Sequence, residues 1–530
     1  MPSPVRLLLA AAAGGVLYTA FPTLDLWGLA PVGVALLTAA VDGTRAREGA
    51  LLGFVAGMAF FVPTLEWSGI YVGVLPWVAL AVLQSLYVAL LGLALSLTRH
   101  PVLLTPFAWV GSELLRSTTP FGGFPWVRLA FSQADSPLAT WASVAGAPGV
   151  TFAVALLGAA LYAVVRLAWR RDLGRPAATA GPLAAAALVV VGGLVIPRPV
   201  DGTPVPVALV QGNVPRPGLD FNAERRAVLD NHVRGTELAV AGLGQRRPED
   251  LSLVIWPENA SDIDPFRNPD AEAAIAGAVE AAEAPVLVGA VVERDEASVA
   301  NVSALFRPGG PTSESEVEQY VKQHPVPFAE YIPYRGFFRV FSEKVDLVRR
   351  DFVAGERPVV FDIDAGAGLT YAAVPTICFE VAYDSLMRDV LAEAGGVPSL
   401  LIVQTNNATF GFSAEAEQQF AISRIRAIEH GRAVAHVSTV GVSGFIAPDG
   451  STGEVTGLFT ARQLFGTPVV RSATTVSDRV GRLPELLAVG VLLILLARDA
   501  AERQGRGIVL APRRRDPEGR GVRGPRAGRL

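Results

Sequence analysis

The chain is short of cysteine, lysine and charge. One cysteine, Cys378, stands in 530 residues, which excludes an intramolecular disulfide framework and any zinc site built on several thiolates. Two lysines, Lys322 and Lys344, stand against 43 arginines (45 basic residues less two), a bias that fits a GC-rich genome. A lysine that survives such a bias is a candidate for a place where a compact ammonium serves and a planar guanidinium does not. Charged residues make up only 18% of the chain, against about 25% in soluble globular proteins. Hydrophobic residues make up 51%, and the mean hydropathy is +0.39. Such a composition argues against disorder and ordinary cytosolic solubility, and for membrane residence. The net charge of -4 hides a split: Arg498–Leu530 holds ten Arg against four acids (+6), leaving -10 elsewhere. A Gly/Pro/Arg tail without interleaved aromatics is a poor nucleic-acid surface, so no nucleic-acid partner is expected.

What the chain has in abundance is apolar runs. Seven spanning candidates fill residues 1–197: about Val5–Phe21, Leu26–Val41, Gly49–Leu65, Val72–Leu97, Pro101–Leu115, Gly149–Trp169 and Ala180–Ile196. Several approach the lower limit of the roughly 17–25 residues that cross a bilayer. An eighth, Leu483–Ala497, lies near the C-terminus, and no comparable run separates it from Ile196. The expected organisation is a membrane domain over 1–197, one large insert over 198–482, a closing helix over 483–497 and a basic, disordered tail over 498–530. With the N-terminus inside, Arg45, Arg47, Arg99, Arg170, Arg171 and Arg175 fall in inside loops, as does the tail. The outside Arg116–Pro148 segment carries only Arg116 and Arg128. The positive-inside bias therefore places both termini in the cytoplasm and the insert outside it. The first run lacks a small-residue cleavage site and reads as a retained helix.

The insert alternates two kinds of segment. Short β-branched-rich runs at Val205–Val210, Leu251–Trp256, Pro285–Val292, Val302–Phe306, Val359–Ile363, Leu369–Thr376, Leu400–Gln404 and Ala433–Val440 read as strands. Ala223–Leu243, Asp270–Ala282, Asp384–Ala394 and Ala414–Glu429 read as helices. The alternation predicts a layered α/β or α+β domain with room for a substantial core.

Three residues in the insert could carry chemistry. Cys378 follows an apolar strand in Val374-Pro-Thr-Ile-Cys-Phe-Glu380, Glu258 ends another in Leu253-Val-Ile-Trp-Pro-Glu258, and Lys322 lies in Tyr320-Val-Lys-Gln-His-Pro325. Each has an ordinary reading: a lone cysteine is most often a small buried hydrophobe, and the other two could be surface charges. Brought together they would make an acyl-transfer site. A carboxylate takes the thiol proton, the thiolate attacks a carbonyl, and an ammonium stabilises the oxyanion. Spacing alone does not establish that they meet.

These segments resemble the nitrilase superfamily. The resemblance rests on Trp256-Pro-Glu258, on Lys322 with Pro327-Phe-Ala-Glu330, and on Ile377-Cys-Phe-Glu380. The membrane context narrows it to the apolipoprotein N-acyltransferase family. Phe121-Gly-Gly-Phe-Pro-Trp126, Phe131-Ser-Gln133, Val210-Gln-Gly-Asn213, Thr405-Asn-Asn-Ala-Thr-Phe-Gly411 and Arg424-Ile-Arg-Ala-Ile-Glu429 match in order. The resemblance implies a polytopic helical bundle carrying an extracytoplasmic αββα sandwich. It implies Glu258 as general base, Lys322 as oxyanion stabiliser, Cys378 as nucleophile, Glu330 and Glu380 as supporting carboxylates, and the Phe379 N–H as a second oxyanion donor. It implies a phospholipid acyl donor, a diacylglyceryl-modified apolipoprotein acceptor, the bilayer of a bacterial cell membrane and no cofactor. Thr409 departs from the family, where an aromatic usually stands, so no lipid-contact role carries over to it. Two other readings stay open: a membrane-tethered amidase using the same three residues, and a transporter or receptor with a ligand-binding insert. The latter should bury ionisable residues in its spans, yet Glu113 is the only clear candidate.

Overall fold

The computed structural model describes residues 2–171, 176–215, 225–242, 251–340 and 343–509. Every apolar run is helical: Pro4–Thr19, Ala30–Val41, Ala46–Thr64, Val74–Leu97, Pro101–Thr118, Ala142–Trp169, Pro176–Val195 and Leu483–Val509. Three stretches, Ala46–Thr64, Val74–Leu97 and Pro137–Trp169, are long and apolar enough to cross a membrane. Large apolar side chains stand exposed on several of these helices, among them Leu8, Leu103, Leu188, Leu194, Leu487 and Ile494. Water penalises a continuous surface of this kind and lipid does not.

Small residues set the closest helix pair. Gly49, Gly53 and Gly57 recur at every fourth position of Ala46–Thr64, on the face turned to Val74–Leu97. A Cβ on Gly53 would sit 2.2 Å from the Val88 carbonyl oxygen. The backbones touch because nothing intervenes, which is how helices gain dispersion contact in lipid. Gly53→Leu raises hydropathy yet should destabilise the bundle by about 1–3 kcal/mol through overpacking. Thermal unfolding in detergent should show it, with Gly15→Leu, whose Cβ would meet nothing within 4 Å, unfolding near the wild-type temperature.

The insert folds as two facing sheets. One runs Thr452–Val455, Gly444–Ile446, Val434–Ser438, Ser399–Thr405, Thr370–Ile377, Phe361–Asp364. The other runs Arg462–Gly466, Val207–Gln211, Leu253–Ile255, Val286–Glu293, Ser298–Phe306, Glu318–Val321, with Asp351–Phe352 paired to Ser298–Phe306. Central pairs are parallel, and those strands are buried over most of their length, which explains their largely apolar sequence. Alternation then sorts the side chains. Leu253 and Ile255 join the core that includes Ile363 and Tyr371 of the opposite sheet, while Val254 and Trp256 pack with Ile275 and Val279 of the Pro269–Ala282 helix. Ser252 Oγ and the Tyr371 hydroxyl lie 3.1 Å apart. The Ser303 hydroxyl donates to Gln404, whose Nε2 donates to the Trp256 carbonyl at 2.6 Å. Helices Arg225–Gly242 and Pro269–Ala282 cover one sheet, Asp384–Glu393 and Glu415–His430 the other.

Two expectations change. The strands Glu318–Val321, Asp351–Phe352, Gly444–Ile446, Thr452–Val455 and Arg462–Gly466 were not anticipated; in the first, Glu318 and Gln319 leave no apolar run. The last helix continues to Val509, so residues 498–509 are helical and not disordered. Asp499 accepts from Thr98 Oγ1 at 2.6 Å and the Arg99 N–H at 3.3 Å, and Arg503 donates to the Leu97 carbonyl at 2.6 Å. These bonds anchor the extension to the end of Val74–Leu97. The remaining tail, residues 510–530, and Arg175 lie outside the described residues.

A buried ion network joins the bundle to the sandwich. Arg128 pairs with Glu113 at 3.3 Å and with Asp384 at 2.7 Å, and Arg426 pairs with Asp384 at 2.7 Å and Glu429 at 2.5 Å. Glu113 also accepts from the Leu129 N–H and Thr151 Oγ1. Its carboxylate is thus saturated by structure. Glu113 therefore serves the frame and lends a transporter reading no support. Arg426 further donates to the carbonyls of Val381 and Ala382 at 2.8 and 2.7 Å, fixing the segment just after Cys378.

Candidate active site

Glu258, Lys322 and Cys378 follow the ends of strands that finish on one rim of the sandwich. Lys322 succeeds the edge strand Glu318–Val321, and its backbone N–H bonds the Asn301 carbonyl of the neighbouring strand at 2.9 Å. Its side chain turns inward and is 1% exposed. The ammonium lies 3.1 Å from Glu258 Oε1 and 2.9 Å from Glu330 Oε1. Asn301 Nδ2 donates to the same two carboxylates, at 2.6 and 3.3 Å. Glu258 Oε2 accepts the Asn406 N–H at 2.8 Å, and Glu330 Oε2 that of Val326 at 2.7 Å.

Electrostatics follow from this packing. Burial pushes the Glu258 carboxyl up, and Lys322 offsets that only in part. Burial alone would draw the Lys322 ammonium down, but Glu258 and Glu330 hold it well above the usual lysine range. A permanent cation therefore sits between a raised carboxyl and a second carboxylate.

Cys378 closes the arrangement. It follows Thr370–Ile377 with φ +55° and opens the short helical turn Cys378–Ala382. A non-glycine residue held there stores about 1–3 kcal/mol of strain. Burial, with Glu258 second, pushes its thiol up while Lys322 pulls it down, so both side chains act on the sulfur. Glu380 is fully buried and ties this turn to the Lys322 strand. It accepts from the Ile377 N–H and Tyr320 hydroxyl at 2.8 Å each, and from the Gln323 and His324 N–H groups at 2.6 and 3.1 Å. Its hold on Lys322 is through the backbone, whereas Glu330 touches the ammonium directly.

Comparison with known proteins bears on this site. Residues 13–160 match the model of the apolipoprotein N-acyltransferase N-terminal domain, and residues 206–461 that of carbon-nitrogen hydrolase. The apolipoprotein N-acyltransferase of Mycolicibacterium smegmatis is 39% identical over 92% of this chain and 85% of its own. The enzyme of the same name from Ralstonia nicotianae is 31% identical over 93% and 94%. The chain belongs to the apolipoprotein N-acyltransferase family. An amidase from Nesterenkonia sp. aligns with 54% of this chain and 98% of its own at TM-score 0.36 and 16% identity, too remote a likeness to support an inference.

The remaining family motifs divide between the site and its frame. Phe124 and Trp126 stack on Phe379 at centroid distances of 5.3 and 5.1 Å. Arg116 shapes their loop by donating to the carbonyls of Phe124, Trp126 and Val127. Bundle residues thus build a wall beside the Cys378 turn. The Phe131 ring lies under the guanidinium groups of Arg128 and Arg426. Gln211 and Asn213 instead hold the 457–460 loop through their side-chain amides, a structural duty. Thr409 sits in the turn Ala408–Phe410, whose Phe410 meets Trp67 edge-on at 5.0 Å. Sequence reasoning missed Asn301 and Gln419. Gln419 is fully buried, and its Nε2 lies 3.7 Å from Cys378 Sγ.

Proposed function

We propose that the lipoprotein N-acylation carried out by this family member runs through a thioester on Cys378. The observation that carries the reading is the Lys322 ammonium, clasped by Glu258 and Glu330 in a buried site it shares with the strained Cys378 turn. Glu258 takes the thiol proton, and the thiolate attacks the acyl carbon of a phospholipid ester. Lys322 and the Phe379 N–H receive the developing oxyanion. The C–O bond breaks, the alkoxide recovers the proton from Glu258, and a lysophospholipid leaves. In the second half, the α-amine of an S-diacylglyceryl cysteine attacks the thioester. The C–N bond forms, the C–S bond breaks, and the amine proton returns through Glu258 to the thiolate. Glu330 and Glu380 hold Lys322 and its strand in place, and no cofactor enters the scheme.

The surface near the site supports lipid access. Phe121 of the bundle meets Phe328 and Phe338 of the sandwich at 6.0 and 6.3 Å. Tyr334, Phe337 and Val340 of the same segment are 75%, 61% and 81% exposed. Aromatic and aliphatic side chains so placed suit the interfacial zone of a bilayer. Purified enzyme given a phospholipid with a labelled acyl chain and a diacylglyceryl peptide should yield an amide-linked label on the peptide. Release of the label as free fatty acid at the same rate with and without peptide, beside rapid hydrolysis of a small amide, would favour a hydrolase that uses the same three residues.

We also propose eight spans, with both termini cytoplasmic and residues 198–482 outside, from the arginine bias of the loops. Reporter fusions at Gly310 and at the C-terminus are expected to give opposite answers. Like signals from both would remove the closing helix as a span.

A further inference from the structure

The sulfur of Cys378 is approached by a second polar arm that owes nothing to Glu258 or Lys322. We infer that Gln419 is a direct hydrogen-bond donor to the Cys378 sulfur, oriented by Thr405, Asn407 and Ser438 so that it stabilises the thiolate. The inference rests on Cys378 being the nucleophile.

The direction of this arm is dictated by the backbone. The N–H groups of Gly441 and Val440 donate to Ser438 Oγ at 2.7 and 3.3 Å. Ser438 must therefore spend its own proton elsewhere, and it does so on Asn407 Oδ1 at 2.5 Å. That fixes the Asn407 amide with Nδ2 toward Glu415 Oε2 at 2.6 Å and Gln419 Oε1 at 2.9 Å. Thr405 Oγ1 donates to the same Gln419 oxygen at 2.9 Å. With its oxygen engaged twice, Gln419 presents Nε2 to the sulfur, 3.7 Å away. Donors aligned head to tail polarise one another, and Ser438, Asn407, Thr405 and Gln419 are all buried.

The arm also suits its electrostatic setting. The titratable groups acting on the sulfur are Glu258, Lys322 and Glu415. Burial raises Glu415 to about 8, which favours its neutral form beside the arm. A neutral donor favours the thiolate without adding a cation that would compete with Lys322 for Glu258. It serves twice, when the thiol ionises and when the thiolate leaves the thioester.

A single cysteine makes the test specific, since iodoacetamide can alkylate no other thiol. Its rate with the full-length enzyme in detergent, measured from pH 6 to 9.5, follows the thiolate fraction. Gln419→Leu should slow alkylation about ten-fold at each pH, the effect of losing one donor to a charged acceptor. Gln419→Glu keeps the shape, and so the access, and should slow it further once its carboxyl ionises. It also serves alone where the Leu variant fails to fold. Ser438→Ala, acting through Asn407, should slow it less and in the same sense. Wild-type rates in both Gln419 variants would overturn the inference. So would a slow Leu variant beside a Glu variant at wild-type rates throughout, which would assign the effect to access. Mass spectrometry of wild-type enzyme with phospholipid tests the nucleophile separately: slowed variants without an acyl mass on Cys378 would leave the donor standing and remove the thioester.

Discussion

Enzyme incubated with phospholipid and no acceptor is expected to gain one acyl chain on the Cys378 peptide, and Cys378→Ala to gain none. No other thiol can take its place, so transfer by the Ala variant should fall to about 10⁻⁴ of wild type or lower. The thioester should persist without an amine, because the sulfur lies in a turn walled by Phe124, Trp126 and Phe379, where water is a poor competitor. Neutral hydroxylamine should release the chain. Glu258→Gln retains a partner for Asn301 but has no site for the thiol proton, and should prevent acylation without unfolding the protein. Burial raises the proton affinity of the carboxyl as well as that of the thiol, so Glu258 is a stronger base here than a carboxylate in water. A Cys378→Ala enzyme that still transfers acyl chains, or an active wild type never acylated at Cys378, would refute the scheme.

Much of this architecture is legible from the residues, for reasons that also explain what is not. Apolar runs and their helices coincide because lipid-facing segments must satisfy their backbone within the helix. The strand ends at Ile255 and Ile377 are visible because these strands are largely apolar and stop abruptly at Pro257 and Cys378. The strand before Lys322 is invisible by the same test, since an edge strand carries polar residues. Lys322 was reached by another route, the near absence of lysine. Asn301 and Gln419 left no such trace. Asn301 sits within Ser298–Phe306, where a polar residue between apolar ones looks like a solvent-facing position. Gln419 sits on Glu415–His430, whose polar residues suggest an exposed face. That helix is instead buried almost throughout, because the bundle covers the side that the sandwich leaves open: Trp67 and Trp126 both donate to Gln418. Only the junction of the two domains makes those glutamines interior. The pairing of Glu113 with Arg128, and of Arg128 with Asp384, is unreadable for the same reason, since its members are separated by up to 256 positions.

Lys322→Arg should lose about 10²–10³ in turnover, the usual effect of removing one oxyanion donor, although it keeps the charge. The Lys322 side chain is 1% exposed, so a longer, planar head has no solvent to expand into. An ammonium has three protons on one atom. Two point at Glu258 and Glu330, which leaves the third for an oxyanion beside the sulfur. A guanidinium meeting the same two carboxylates would use its fork on them and carry its remaining N–H groups to different positions. Binding should suffer less than the chemical step, so the fall should lie mainly in kcat. Lys344→Arg provides the comparison: Lys344 donates to the Val72 carbonyl at the surface, where either head can serve, and its activity should stay near wild type. Equal activities in the two purified variants would make Lys322 a structural residue and move the oxyanion role to the Phe379 N–H alone.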